Sequence, residues 1–216
     1  MSSYDTSSCQ GGKTPPSVSI VRQIVVIGAS TGGTDALKTV LSNLPANTPP
    51  VMVVQHMPEN FTETFASRLN DSCQMRVKEA EHDESLCPGT VYIAPGHSHL
   101  LLARGAGHYR CCLSSAEPCN RHRPSVDMLF RSVVAEASCA IVAVLLTGMG
   151  RDGADGLLKL RQKGAWTITQ DQASCVVYGM PRVADQIGAS CESLPIEEVA
   201  QGIVRRLPGL SAGNPV

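Results

Sequence analysis

A run of β-branched residues, followed at once by a glycine-rich turn and an amphipathic helix, most constrains the fold. Residues 23–27 (QIVVI) are apolar after the first position, which is typical of a strand buried on both faces of a parallel sheet. Residues 28–33 (GASTGG) form the turn, and residues 34–44 carry apolar side chains at helical spacing before Pro45. The chain therefore opens with a strand, a glycine turn and a helix.

Similar apolar runs alternate with helical patterns along the rest of the chain. Residues 90–94 and 100–103, with residues 109–113 beyond a glycine-rich turn, predict hairpin strands. The other predicted strands are residues 51–54, 75–80, 141–146 and 166–169, and the other predicted helices are residues 61–69, 125–137, 154–162 and 196–207.

Strands that alternate with helices indicate an α/β fold. We predict an open, doubly wound, mostly parallel sheet with helices on both faces and a small antiparallel hairpin. A chain of 216 residues suits one sizeable domain. We place this domain at residues 21–210, between a disordered tail at residues 1–20, rich in Ser, Gly, Pro and Thr, and a short C-terminal tail at residues 211–216.

Composition excludes several classes of protein. The 18 Lys and Arg residues nearly balance 19 Asp and Glu residues, so no broad basic face for nucleic acid is expected. The longest apolar stretch, residues 140–146, is too short to cross a bilayer, so no membrane insertion is expected. Residues 1–19 lack the pattern of a signal peptide, so we expect a cytoplasmic protein whose nine cysteines are free thiols.

Three loops that follow strong strands carry the residue types of a serine hydrolase. In parallel sheets, working residues gather beyond the carboxyl ends of the strands. The first loop places Ser30 in a G-x-S-x-G pattern between a predicted strand and a predicted helix, the context that this pattern requires. Free N–H groups at the start of the helix would favour a developing oxyanion. Ser30 is therefore the candidate nucleophile.

The other two loops supply a candidate base and a candidate carboxylate. His56 ends the second strand. In a doubly wound sheet the carboxyl end of this strand lies beside the Ser30 loop, so the His56 imidazole could accept the Ser30 proton. Asp152 follows the strand at residues 141–146 and could fix the histidine tautomer through Nδ1, with Asp155 as a rival carboxylate. The order Ser, His, Asp disfavours the α/β-hydrolase family.

These residues also have other interpretations. A phosphate-binding loop is disfavoured, because Ser30 replaces a glycine of the dinucleotide fingerprint and no Lys follows Gly33. Cys175 could be a nucleophile, but no base is paired with it, and a buried small hydrophobe is the simpler interpretation. His56 could be a core histidine, and Asp152 could be a turn residue. A zinc site is disfavoured for lack of a C-x-x-C pair; its candidates are His97, His99, Cys111, Cys112, Cys119 and His122.

Six long motifs occur in register over residues 21–188, nearly the whole predicted domain. They are IVVIGASTGGTDAL, VVQHMP with FTETFASRLN, GTVYIAPGHSHLLL, RPSVDMLFRSV, VLLTGMGRDGADGL and AWTITQDQASCVVYGMPRVA. With these motifs the sequence resembles the catalytic domain of the CheB family, the protein-glutamate methylesterases of chemotaxis. The match of all six motifs is far more specific than G-x-S-x-G alone.

The resemblance implies hydrolysis of glutamate γ-methyl esters on the cytoplasmic helices of chemoreceptors, with release of methanol and without a cofactor. It implies that Ser30, His56 and Asp152 are catalytic, which selects Asp152 over Asp155. It further implies that backbone donors near Thr31 and Met149 hold the oxyanion. Many members of the family also deamidate receptor glutamines.

One departure from the family pattern concerns regulation. The usual member carries an N-terminal receiver domain that inhibits the esterase, whereas only a short tail precedes the first predicted strand. We therefore expect the catalytic domain alone, unregulated or regulated by a separate receiver protein. A module of the same fold that docks on receptors without catalysis is the alternative function.

Overall fold

The computed structural model describes residues 21–105 and 107–207. The predicted tails at residues 1–20 and 211–216, and the predicted end of the domain at residues 208–210, lie outside these residues. The strands are β1 Gln23–Ala29, β2 Val51–Gln55, β3 Arg76–Glu79, β4 Thr90–Ile93, β5 His99–Arg104, β6 Tyr109–Ser114, β7 Ala140–Leu145, β8 Trp166–Gln170 and β9 Glu192–Leu194. The helices are α1 Gly33–Ser42, α2 Glu59–Ser72, α3 Val126–Glu136, α4 Ala154–Gln162, α5 Met180–Gln186 and α6 Ile196–Arg205.

Seven of the strands form one parallel sheet in the order β3-β4-β2-β1-β7-β8-β9. The central strand β1 pairs with β2 and β7, and its four apolar residues 24–27 have no exposed surface. Ala29 lies opposite Gln55, and Gly28 lies opposite Leu145. The carboxyl ends of these three strands therefore meet at one edge, and the loops after them converge there.

Each face of the sheet is covered by its own hydrophobic core. The core on one face is formed with α1, α2 and α6, and includes Leu37, Leu69 and Ile203. The core on the other face is formed with α3, α4, α5 and the antiparallel hairpin β5–β6, and includes Phe130 and Leu157. Burial on both faces explains why β1 and β7 are almost continuously apolar.

The predicted fold class is confirmed: the structure is a doubly wound parallel sheet with helices on both faces and a two-stranded antiparallel hairpin. One detail was wrong, because residues 90–94 were predicted as hairpin material. Thr90–Ile93 is instead buried between β2 and β3 in the parallel sheet. Its unbroken apolar character fits burial on both faces better than a hairpin with one solvated face.

Two elements were not predicted, namely α5 and β9. Helix α5 has only seven residues and begins around Pro181, and β9 has only three residues, so neither offers a full period of apolar spacing. The eight cysteines at described positions are free thiols. Across residues 21–105 and 107–207, no helix is both long and apolar enough to cross a membrane.

Candidate active site

Ser30 lies in the turn between β1 and α1, where its backbone is held from several sides. Its N–H donates a hydrogen bond of 3.0 Å to the carbonyl of Thr147, at the end of the neighbouring strand β7. Its carbonyl accepts from the Gly33 N–H at 2.7 Å and from Gln55 Nε2 at 2.9 Å. Because three strands contribute to these contacts, the backbone of the Ser30 loop is fixed on the sheet.

Two glycines allow this turn to form. Gly32 has a φ of 78°, a left-handed conformation that side chains rarely adopt, and it precedes the first residue of α1. Gly148 packs against the serine, since a Cβ atom at this position would lie 2.6 Å from Ser30 Cβ and would also contact Met180 Sδ. The Ser30 loop therefore approaches the loop after β7 more closely than any residue larger than glycine would permit.

His56 follows β2 directly and lies beside the Ser30 loop, as predicted. Its backbone N–H donates to the carbonyl of Ala29, the residue before Ser30, at 3.1 Å. Its Nε2 lies 2.8 Å from Asp152 Oδ2, and its side chain is only 8% exposed. The buried Nδ1 has no hydrogen-bond partner among the described residues.

This geometry corrects one detail of the sequence interpretation, in which the carboxylate was expected at Nδ1. Asp152 is ionised and can only accept, so the neutral imidazole carries its proton on Nε2. Nδ1 is then an unprotonated nitrogen with a free lone pair. The ring of His56 therefore offers a proton acceptor through Nδ1, and Asp152 holds the tautomer that makes this possible.

Asp152 is almost completely buried, and its two oxygens accept five hydrogen bonds. Besides His56, the donors are Asn120 Nδ2 and Ser125 Oγ at 2.8 Å each and the backbone N–H groups of Val126 at 2.7 Å and Asp127 at 3.2 Å. Burial by itself raises the pKa of this carboxyl, but the hydrogen bonds from His56, Asn120 and Ser125 outweigh it and lower the pKa to about 2.

The rival carboxylate Asp155 occupies a different environment. It lies in the first turn of α4 and forms an exposed ion pair with Arg151, with both carboxylate oxygens 2.9 Å from the guanidinium. The carboxylate that contacts His56 is that of Asp152. The structure therefore brings together the three residues that the sequence analysis named, Ser30, His56 and Asp152, at the ends of three adjacent strands.

Thr31 and Met149, the predicted oxyanion donors, face the same cleft as Ser30. This cleft has a volume of about 530 Å³, and Ser30, Thr31, Asn120, Arg121, His122, Met149, Gly150, Arg151 and Asp152 line it. Among the described residues, neither the Thr31 N–H nor the Met149 N–H has a hydrogen-bond acceptor. By contrast, the Gly148 N–H donates to the Val177 carbonyl at 3.0 Å and is not free.

Thr147 joins the two loops that carry these free N–H groups. Its hydroxyl donates to the carbonyl of Thr31 at 3.0 Å and accepts from the N–H of Val177 at 2.9 Å, and the residue is fully buried. Its own N–H donates to Gln170 Oε1 at 2.8 Å. The spacing between the Thr31 and Met149 loops is thus set by one buried side chain.

The zinc candidates are not brought together in the structure. Both ring nitrogens of His99 are occupied, Nδ1 by the Ser125 N–H and Nε2 by the Glu117 carbonyl. Of the described residues, only Cys119, Asp127 and Asp152 place three suitable ligand atoms close to one another. The Asp152 oxygens in that group are already filled by N–H and O–H donors.

The alternative nucleophile Cys175 lacks the setting of a reactive thiol. Burial raises its pKa to about 11, so the thiol stays protonated at neutral pH. Its Sγ lies 3.8 Å from the carbonyl of Gln170, an acceptor and not a base.

Several residues of the site were not found from sequence. Ser125 caps α3, because its hydroxyl accepts from the Met128 N–H. A serine before an apolar helix predicts such a cap, but no sequence pattern predicts its hydrogen bond to Asp152. Asn120 and Gln55 contact the site through tertiary packing alone. His122 was considered only as a metal ligand, whereas its ring stacks on that of His56.

Comparison with known proteins identifies the family of this chain. The family model described as CheB methylesterase matches residues 25–203. The protein-glutamate methylesterase/protein-glutamine glutaminase 3 of Burkholderia lata is 53% identical over 185 residues, which are 86% of this chain and 51% of that protein. The similarly named protein of Paraburkholderia xenovorans is 52% identical over 188 residues, 87% of this chain and 52% of that protein. The chain spans about half the length of the curated relatives it matches.

A solved structure is also similar. The crystal structure of the Thermotoga maritima CheB methylesterase catalytic domain superimposes with a TM-score of 0.83 at 40% sequence identity, covering 85% of this chain and 98% of that one. The chain therefore belongs to the CheB methylesterase family.

Proposed function

We propose that this protein is a serine hydrolase that removes methyl groups from glutamate γ-methyl esters on the cytoplasmic helices of chemoreceptors and releases methanol. We also propose that it deamidates receptor glutamines. Relatives named protein-glutamate methylesterase/protein-glutamine glutaminase support both activities. The site requires no cofactor for this chemistry, and the reaction takes place in the cytoplasm, where these helices lie.

One observation carries the proposal. His56 is bound through Nε2 to an ionised, buried carboxylate and through its backbone N–H to Ala29, the neighbour of Ser30, while its Nδ1 has no partner among the described residues. A buried nitrogen without a partner is costly in a core, so its presence at a serine loop is best explained by a catalytic proton transfer. The free N–H groups of Thr31 and Met149 border the same cleft, where an oxyanion would form.

The first half of the proposed reaction forms an acyl-enzyme. Ser30 Oγ attacks the ester carbonyl carbon while its proton moves to His56 Nδ1, and the carbonyl oxygen becomes an oxyanion facing the Thr31 and Met149 N–H groups. When the tetrahedral intermediate collapses, the bond between the carbonyl carbon and the methoxy oxygen breaks. The methoxy group takes the proton from Nδ1 and leaves as methanol.

The second half regenerates the enzyme. Water attacks the carbonyl carbon of the Ser30 ester and gives a proton to His56 Nδ1. The bond between this carbon and Ser30 Oγ then breaks, Nδ1 returns the proton to Oγ, and glutamate departs. Asp152 stays ionised throughout, holds the tautomer and stabilises the imidazolium. With a glutamine substrate the same steps release ammonia, so one site accounts for both activities.

The direct test uses receptor membranes whose glutamates carry isotopically labelled methyl groups. We expect volatile methanol from the unaltered protein, and a decrease of about 10³-fold or more with Ser30→Ala, because loss of a triad member removes the nucleophile. Ser42→Ala serves as the matched control, since Ser42 lies at the far end of α1 and its hydroxyl donates to the Thr39 carbonyl within the same helix. This control should retain normal release.

Further arms of the experiment separate the finer parts of the proposal. Mass spectrometry of receptor peptides detects glutamine deamidation independently of methanol. A separate receiver protein with a phosphodonor tests regulation by a partner. Binding to receptor membranes with no release of methanol would contradict the proposal and favour a docking module without catalysis.

A further inference from the structure

A tight turn made by residues 119–122 lies over the catalytic pair. Cys119 and His122 exchange two backbone hydrogen bonds, of 3.0 and 2.9 Å, as an isolated antiparallel bridge. Asn120 and Arg121 between them have φ values of 52° and 68°, in the left-handed region required by this kind of two-residue turn. Two successive residues other than glycine in this conformation cost free energy, so other contacts must hold the turn.

Asn120 supplies these contacts by joining the turn to two carboxylates. Its Nδ2 donates to Asp152 Oδ1 at 2.8 Å and to Asp127 Oδ2 at 2.7 Å. Both carboxylates are fully or almost fully buried. The turn is therefore fixed to the same Asp152 side chain that binds His56, which sets the height of His122 above the catalytic ring.

His122 uses this position to stack on His56. The two imidazole rings are nearly parallel, with an interplanar angle of 8°, and their centroids are 3.7 Å apart. His122 also lines the cleft together with Ser30. No other aromatic ring among the described residues stacks on His56.

The stacking matters because one hydrogen bond does not fix a ring. The bond from Nε2 to Asp152 still allows the imidazole to tilt about the axis through that bond. The tilt would change the direction of Nδ1, which has no hydrogen-bond partner among the described residues and is the nitrogen that the proposed reaction uses. Displacement of a catalytic group by about 1 Å can reduce a rate by about 10²-fold.

We propose that His122 is a positioning residue whose ring fixes the plane of the His56 imidazole and stabilises the imidazolium that His56 becomes during the reaction. The inference rests on the proposed function, since it assigns His56 the role of base. His122 does not contact the reacting atoms in this account. It acts only through His56.

The charge state of His122 fits this role. Burial, with a further contribution from His56, lowers the pKa of His122, so its ring is neutral at physiological pH. A neutral ring presents an electron-rich face to a neighbouring cation, whereas a second imidazolium would repel it. The stack therefore accommodates a proton on His56 but not one on each ring.

The test compares His122→Phe with His122→Leu on labelled receptor membranes. Phenylalanine keeps a flat ring and cannot titrate, whereas leucine fills space without a ring face. We expect kcat within about threefold of the unaltered protein for His122→Phe, and about 10- to 100-fold lower kcat, with KM within about twofold, for His122→Leu. His82→Ala is the matched control, since His82 is exposed and its Nδ1 accepts from the Leu113 N–H in β6.

A second readout does not depend on turnover. Nitrogen-15 NMR of the His56 ring should report the Nε2–H tautomer, which Asp152 sets, with sharp ring signals in the unaltered protein and in His122→Phe. In His122→Leu the same tautomer should give a broadened Nδ1 signal, because the ring is free to tilt. Loss of kcat and broadening of the Nδ1 signal in His122→Leu alone supports the inference. If His122→Phe and His122→Leu both kept normal kcat, or both lost it to the same extent, the inference would be overturned.

The two proposals can fail separately. If the unaltered protein releases no methanol, the proposed function fails, and the NMR comparison still decides whether His122 orders the His56 ring. If Ser30→Ala abolishes release but His122→Phe and His122→Leu are both normal, the proposed function stands and the positioning role is rejected. Thermal unfolding of both variants distinguishes a loss of kcat from a loss of folded protein.

Discussion

His56 Nε2 lies 2.8 Å from Asp152 Oδ2, and this contact leaves His56 Nδ1 as the ring nitrogen available to a proton. Four further donors, from Asn120, Ser125 and the backbone of α3, fill the remaining positions of the carboxylate. Asp152 is therefore an acceptor that cannot turn or change partner without breaking several hydrogen bonds. The predictions below follow from this arrangement.

Asp152→Asn should abolish the correct histidine tautomer. An amide NH₂ group would face the N–H and O–H donors that now bind the carboxylate, and it could donate to His56 in place of accepting. We expect kcat to decrease by about 10⁴-fold. The matched control is Asp155→Asn, which removes only an exposed ion pair with Arg151 and should leave kcat unchanged. Equal kcat in the two variants would contradict the assignment of Asp152.

The stability of the protein should carry an acid-dependent contribution from Asp152. Its pKa is lowered from 3.8 to about 2 in the folded state, so the contribution is complete above about pH 4 and disappears as the pH falls towards 2. The shift corresponds to about 2 kcal/mol of unfolding free energy. Chemical denaturation of the unaltered protein and Asp152→Ala between pH 6 and pH 2 measures it. Identical pH dependence in the two proteins would contradict the lowered pKa.

Thr147→Val should loosen the site at nearly constant volume. The substitution removes the hydroxyl that joins the Thr31 carbonyl to the Val177 N–H, so two buried polar groups lose a partner. We expect a loss of about 1 to 3 kcal/mol of unfolding free energy. We also expect kcat to decrease by about tenfold or more, because the predicted oxyanion donors lose their fixed spacing.

Thr167→Val is the matched control for that experiment. Thr167 is equally buried, donates to the Ala189 carbonyl at 2.7 Å and accepts from the Cys191 N–H at 3.0 Å, but it does not line the cleft. It should lose similar stability and keep its kcat. If both variants lost kcat in proportion to stability, Thr147 would have no special part in the site.

Gly148→Ala should displace the nucleophile loop. The added methyl group would lie 2.6 Å from Ser30 Cβ, closer than carbon atoms can approach, and Met180 would also have to move. We expect kcat to fall by about 10²-fold, since the serine moves relative to His56. Steady-state kinetics with a thermal unfolding control checks this prediction. Retention of kcat within a few fold would show that the loop is not as closely packed as described.

Much of the fold and the site could be predicted from the sequence because strand order and loop position follow from simple patterns. Residues 23–27 and 141–146 are apolar runs that can be buried only in the centre of a parallel sheet, and the loops after them must share one edge. That reasoning was enough to bring Ser30, His56 and the loop with Asp152 and Asp155 to one place, whereas the choice of Asp152 came from the family resemblance. Helix α5 and strand β9 were not predicted, because they are too short to show such a pattern.

The remaining features depend on side-chain geometry between distant segments. Which nitrogen of His56 meets Asp152 is decided by ring orientation, and periodicity does not encode it. Asn120 and His122 belong to a loop without an apolar pattern, and only the packed structure brings that loop over His56 and Asp152. The hydrogen bonds of Thr147 and Gln170 likewise join residues that are adjacent only in the folded sheet.

The central claim is that Ser30 and His56 act as one catalytic unit, and their combined substitution tests it most directly. Methanol release from labelled receptor membranes would be measured for Ser30→Ala, His56→Ala and the double variant. The account predicts that each single variant loses about 10³-fold or more and that the double variant is no slower than the slower single variant. Near-normal release by Ser30→Ala, or losses that multiply in the double variant, would contradict it.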